Sequence, residues 1–417
     1  MKNRISILYL MVFISACQTD SIDWLNSSWT AEEILLDNTQ SMAPNLFVAE
    51  GGQAYLTYLH LPNDSMASLE LTQLKQEGWA APQMIASGTD WFVNWADFPS
   101  IVAFPQNSEQ LAAHWLQKRA AGTYDYDVKV SISSSDGQRW TTPFIPHRDS
   151  VAAEHGFVSL LPLPNGRIFV SWLDGRFTKV GNVESSGGHE HGHGGGAMTL
   201  RAAEFDAKGQ LFAEVEIDHR VCDCCQTDTA LGPDGPMVVY RDRSEEEIRD
   251  IYFVRRVEGV WQLPQKIGED NWQINGCPVN GPAIAAQNNA VAVAWFTMAQ
   301  DTPKVQVVFS KDGGQSFGAP IRIDRMEAIG RVDIVLVDED HALVSFLEDD
   351  GEQTWLKVVP VDRSGKQGAA IIEYPSDLSR RSGFPILEQQ GSDYLLAFTV
   401  VDGENTHIKT MRLSWDN

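Results

Sequence analysis

Gly281-Pro282-Ala283-Ile284, followed by a turn and a second apolar run ending at Trp295, is one copy of a theme that recurs along the whole chain. The other copies run from Ala43-Pro44-Asn45-Leu46 to Tyr58, Phe98-Pro99-Ser100-Ile101 to Trp115, Phe157-Val158-Ser159-Leu160 to Trp172, and Thr229-Ala230-Leu231 to Tyr240. Val332-Asp333-Ile334 to Phe346 and Phe384-Pro385-Ile386 to Phe398 complete the set. Each begins with a small or proline-containing entry, continues as an apolar strand and a turn, and ends in a second strand that reaches an aromatic. A period of roughly 50 to 60 residues, holding about four short strands, predicts radially repeated sheets, an all-β single β-propeller of seven four-stranded blades.

The fourth strand of a repeat often opens on an aromatic shortly before a proline, as in Trp79-Ala80-Ala81-Pro82, Trp140-Thr141-Thr142-Pro143, Trp261-Gln262-Leu263-Pro264 and Phe317-Gly318-Ala319-Pro320. One further copy, Trp29-Thr30-Ala31-Glu32-Glu33-Ile34-Leu35, precedes the first complete repeat, and the last repeat stops after its third strand, His407 to Leu413. The N-terminal strand is therefore expected to close the last blade, which leaves no open sheet edge at the seam.

At 417 residues, with 43% apolar residues, 13 Trp and 18 Phe, the chain has ample material for one large core, and regular repetition overrides a two- or three-domain count. Lys2 and Arg4, the apolar run from Ile5 to Ile14 and then Ser15-Ala16-Cys17 resemble a bacterial lipoprotein signal. That resemblance makes residues 1–16 a signal peptide, Cys17 the lipidated residue, 17–27 a tether and 28–417 the propeller. The protein is then expected to be exported and lipid-anchored to the cell envelope, periplasmic or at the outer membrane or cell surface, touching the membrane only through its anchor, and a monomer. The formal charge of -24 becomes -26 once Lys2 and Arg4 are gone, and such a surface repels phosphate backbones, so nucleic acid is excluded as a partner.

Ser310-Lys311-Asp312-Gly313-Gly314-Gln315-Ser316-Phe317 matches the Asp-box pattern S-x-D-G-G-x-[ST]-[FW] throughout, and Ser134-Ser135-Asp136-Gly137-Gln138-Arg139-Trp140 reads as a copy shortened by one residue. The Asp can bond amides of its own turn, the glycines accept positive φ and the aromatic packs into the blade, so the motif is a folding device. With Val170-Ser171-Trp172-Leu173-Asp174-Gly175-Arg176 and Tyr240-Arg241-Asp242-Arg243 to Arg249-Asp250-Ile251-Tyr252, these motifs resemble the sialidase-like (BNR repeat) superfamily of propellers. The family's usual count is six blades, the alternative to the seven counted here. The resemblance implies a glycoside hydrolase with three arginines on a substrate carboxylate, a Tyr nucleophile activated by Glu, and an Asp acid/base. On this chain it points to Asp97 as acid/base, Arg331 and Arg381 (with Arg380) as anion ligands, and Tyr374. The first-blade arginine has no counterpart, since no arginine occurs between Arg4 and Arg119, so one leg of the clamp is missing. Binding of a glycan is the expected function and its hydrolysis is left open.

Cys222, Cys224 and Cys225 lie in the entry loop of the fourth blade and Cys277 in that of the fifth, so adjacent loops can bring four sulfurs together. Two disulfides would need one bridge inside the first cluster, which is strained; a copper or zinc site and a redox-active thiol pair are the alternatives. His189, His191 and His193, on a glycine-rich loop after the second strand of the third blade, fall on the same face and add imidazole donors. Trp91, Trp95, His155, Asp223, Asn275 and Asn280 share that face as candidate ligand-binding residues. Two further functions are thereby open: a copper- or zinc-binding envelope lipoprotein, and a scaffold that binds another envelope protein.

Overall fold

The computed structural model describes Leu25 and residues 28–135, 137–179 and 196–415; Cys17, the signal segment, Asp136 and the histidines His189, His191 and His193 lie outside the described residues. Seven antiparallel sheets form the ring. In chain order their inner strands are Ser41–Val48, Ser100–Phe104, His155–Pro162, Asp228–Leu231, Ala283–Gln287, Glu327–Asp338 and Ile386–Gln390. Each is followed outward by its own second and third strands. The closing strand Trp29–Ile34 pairs antiparallel with Asn405–Trp415, Trp29 opposite Trp415 and Ile34 opposite Thr410, so the first and last described strands share the last blade.

Burial follows position in the blade. Second strands are covered on both faces by neighbouring blades, and their middles are buried without alternation; Ala290–Thr297 is buried at every position. The outermost strand Trp29–Ile34 faces water and carries Glu32 and Glu33. Between blades two and three, Val128, Val130 and Ile132 pack against Ile168, Val170 and Trp172. Among the described residues the outer edge of blade two is reduced to isolated bridges Ser133 to Trp140 and Val130 to Phe144, where Pro143 has no N–H to donate to a ladder.

Ala43, Phe157 and Arg331 occupy the same place in blades one, three and six, with φ of 54°, 53° and 55°, each at a register shift in the inner strand. This repeated bulge bends the strand as it enters from the loop face. Asn45, Asp228 and Asp333 then reach sideways, each accepting the amide of the next blade at Ile101, Ile284 and Leu387 at 3.0, 2.8 and 2.6 Å. The inner strands enclose an axial cavity of about 450 Å³.

On the opposite end of the blades Asp312 Oδ1 accepts the Ser316 amide at 2.9 Å and the Ser310 hydroxyl at 2.7 Å. Gly313 and Gly314 have φ of 69° and 78°, and Phe317 meets Phe253 edge-on at 5.1 Å. Tyr240-Arg241 also has a structural task. Arg241, 1% exposed, donates to the carbonyls of Arg249, Asn280 and Phe296 at 2.6 to 3.1 Å and so ties blade four to blade five.

Candidate functional site

The entry loops of blades two, four, five and seven interlock over the mouth of the axial cavity. Gln226 is the pin: its Nε2 donates to the Ala96 carbonyl at 2.5 Å and its Oε1 accepts the Gly281 amide at 2.8 Å. Trp95 stacks on Phe384 at 5.7 Å, and the guanidiniums of Arg331 and Arg380 lie 4.9 and 5.8 Å from its ring. Arg380 is exposed and Trp95 half-buried. Tyr124, 39% exposed, stands close enough to Glu154, Cys277, Arg380 and Cys224 for their charges to act on its phenol, which burial first and then Glu154 push up. Trp95, the exposed Arg380, Tyr124 and Glu154 thus lie near one another on the entry-loop face.

The hydrolytic residues expected from the resemblance are not brought together here. Arg331, 4% exposed, donates to the carbonyls of Leu378, Ser379 and Gly383 and to the Ser382 hydroxyl, so its fork is filled by the entry loop of blade seven rather than presented to a ligand. Arg381 holds the carbonyls of Gly403 and Glu404. Tyr374 sits in the outer strand Ile372–Ser376, packed on Phe398 and beneath Lys409. Asp97 is 2% exposed, accepting the Phe157 amide at 2.7 Å and meeting the Tyr126 hydroxyl at 2.9 Å.

Tyr126 is the partner that the sequence did not announce. Its hydroxyl lies 2.9 Å from both Asp97 Oδ2 and Glu154 Oε1. A phenol has one proton to donate, so the second contact needs a carboxyl hydrogen. Burial pushes Asp97 up to about 7, which makes it the holder of that hydrogen near neutrality. The same burial, with both carboxylates, drives the Tyr126 phenol well above its ordinary value, so a phenolate nucleophile is disfavoured.

His155 is fully buried in a network between blades two and three. Its ring stacks on His147 at 3.8 Å, and Asp149 Oδ2 lies 2.8 Å from His147 Nδ1 and 3.0 Å from His155 Nε2. Burial opposes the charge on Asp149, but the two histidines hold it well below the usual carboxylate range. Arg176 closes the network with a two-pronged bond to Asp174 at 2.7 and 2.6 Å. Asn280 is likewise structural, accepting the Arg331 amide at 2.7 Å and donating to Ile329. Trp91 stacks on Trp115 at 5.5 Å; Asp223 is half-buried and Asn275 exposed.

The cysteines lie beside this mouth. Cys222, Cys224 and Cys225 are 0%, 6% and 1% exposed, and Cys222 Sγ is 3.7 Å from Cys224 Sγ and 3.6 Å from Cys225 Sγ. Cys277 joins a second group, within 4.8 Å of Cys224 and an Asp223 oxygen. Among the described residues no disulfide joins any of these four cysteines. Arg249, 1% exposed at its side chain, donates to Cys222 Sγ and to Asp223 Oδ1, both at 3.2 Å. Burial pushes the Cys222 and Cys224 thiols up; against burial, hydrogen bonds from those two neighbours, then Arg241 and the Asn280 amide, pull Cys225 well down. One sulfur of the group is therefore favoured to carry the negative charge.

No family model matches the chain, and no curated protein matches it. Solved structures do. The polysaccharide lyase Uly1 overlays with a TM-score of 0.57 at 8% identity, covering 89% of each chain. An ulvan lyase described as a new family of polysaccharide lyase gives 0.56 at 11%, covering 91% of this chain and 95% of its own. A protein of unknown function from Dyadobacter fermentans gives 0.52 at 13%, covering 92% and 98%. At such identities the likeness is one of fold, and the neighbours named for an activity act on glycans.

Proposed function

We propose that the protein is an exported, lipid-anchored propeller that binds a glycan at the entry-loop face, without the catalytic set of a sialidase. The observation that carries this reading is the grouping of Trp95, Tyr124, Arg380 and Glu154 on the entry-loop face. Aromatic faces suit the C–H side of a sugar ring, and a guanidinium and a carboxylate on either side suit its hydroxyl or carboxylate groups. The shared fold of two polysaccharide lyases supports the substrate class. Dispersal of Arg331, Arg381 and Tyr374 argues for binding over sialoside cleavage.

Calorimetry of the full chain against neutral and uronate-bearing polysaccharides tests it. Trp95→Ala and Tyr124→Ala are each expected to weaken binding about tenfold or more, from the loss of stacking contact. Binding that survives both substitutions, or none to any polysaccharide of the panel, contradicts the proposal.

A further inference from the structure

We propose that Cys222, Cys224 and Cys225 form a binding site for a thiophilic d¹⁰ cation, Cu(I) or Zn(II), with Cys277 as the donor at its border. The glycan reading leaves this cluster without a role, and the inference does not rest on that reading.

Three sulfurs from the entry loop of blade four are held in contact before any ion is added. Four thiolates around zinc at about 2.3 Å stand about 3.8 Å apart in a tetrahedron. The separations of 3.7 and 3.6 Å found here need only a few tenths of an ångström of movement. Cys277 approaches from blade five, near Cys224 and Asp223, on the half-exposed side where an ion would enter. Thiolate donors select Cu(I) and zinc among the common ions.

Packing alone would explain three buried thiols, because a free cysteine behaves as a small apolar side chain. It does not explain their surroundings. The Arg249 guanidinium, almost wholly buried, donates Nη1 to Cys222 Sγ as well as to Asp223, and Nη2 to Glu247, while among the described residues its Nε has no hydrogen-bond partner. Arg241, equally buried, gives all its described hydrogen bonds to carbonyl oxygens, so its positive charge has no carboxylate partner. Burying the Arg241 guanidinium without a carboxylate partner is costly; beside a negatively charged metal–thiolate group it is favourable. On loading, the thiol protons leave to solvent and the sulfur lone pairs bind the ion, with no change in oxidation state.

The test uses the full chain, purified in reducing buffer without a metal-affinity tag and titrated with Cu(I), and separately Zn(II), against a chromophoric chelator. One equivalent of one of these ions should bind, with a sulfur-only shell in X-ray absorption. Cys225→Ser should weaken binding at least 100-fold, and Arg249→Gln, which touches the ligand sulfur but is not a ligand, about 10- to 100-fold. Because a buried cysteine substitution can unfold the loop, Cys277→Ser at its half-exposed position is the second variant, expected to weaken zinc at least tenfold. The proposal is overturned if neither ion outcompetes the chelator, if the shell is nitrogen or oxygen, or if folded cysteine variants bind as the parent does. Glycan affinity is read separately on metal-free protein, so failure of one reading is distinct from failure of the other.

Discussion

Arg241 shows how a charged side chain can be a joint between blades. Its guanidinium meets three carbonyls, two of them across the blade boundary, and lies 4.9 Å from the Trp272 ring. Arg241→Gln would leave buried carbonyls unsatisfied and a gap against Trp272, costing about 3–5 kcal/mol. A denaturant midpoint unchanged by the substitution would contradict this role. Arg331 and Arg381 teach the same lesson in reverse. Their positions in entry loops were legible from the repeat, but which way each side chain turns depends on carbonyls 20 to 50 residues away in the sequence, and no local pattern records that. Tyr126, Glu154 and Gln226 were missed for the same reason: each becomes informative only through a partner on another blade.

At the scale of elements, the Asp box and the closing strand were readable because both are local patterns with one physical solution. Gly314, at φ of 78°, would place a Cβ 2.4 Å from the Phe253 ring. Gly314→Ala is therefore expected to destabilise by about 2–4 kcal/mol, through backbone strain and the displaced ring. The strand Trp29–Ile34 closes the ring on Asn405–Trp415, and Trp29 packs on Tyr394 and Trp415 at 5.9 and 5.2 Å. Deleting residues 28–36 should lower the thermal midpoint and expose the Asn405–Trp415 edge to self-association, seen by light scattering. A variant as stable and as monomeric as the parent would refute the closure role. The outer edge of blade two was less legible, since a Trp-plus-proline signal marks a place for a strand without ensuring a ladder.

Across the whole molecule, carboxyl groups are sealed into the ring. Burial pushes Asp97, Asp228 and Asp242 up to about 7 and Asp333 up to about 8. Because these values exceed those of the unfolded chain, the stability they confer is complete below about pH 4 and is lost as pH rises through 7 to 8. His147, raised by Asp127 and Asp149 against the effect of burial, acts in the same direction. His114, lowered to about 3 by burial, contributes stability that is lost only as pH falls below about 6.5, and so is constant above it. The thermal midpoint should therefore fall from pH 6.5 to 8, and the double variant Asp228→Asn, Asp333→Asn should flatten that slope. A midpoint that stays level or rises over the window would contradict the account.

The repeat also divides the molecule into a face of Asp boxes and a face of entry loops, and the proposed binding site lies on the second. Hydrogen exchange of the full chain with and without a polysaccharide that binds it tests this most directly. Protection is predicted in the loops around residues 91–97, 122–126, 223–227 and 378–383. Protection centred instead on the Asp box at 310–317, with these loops unchanged, would contradict it.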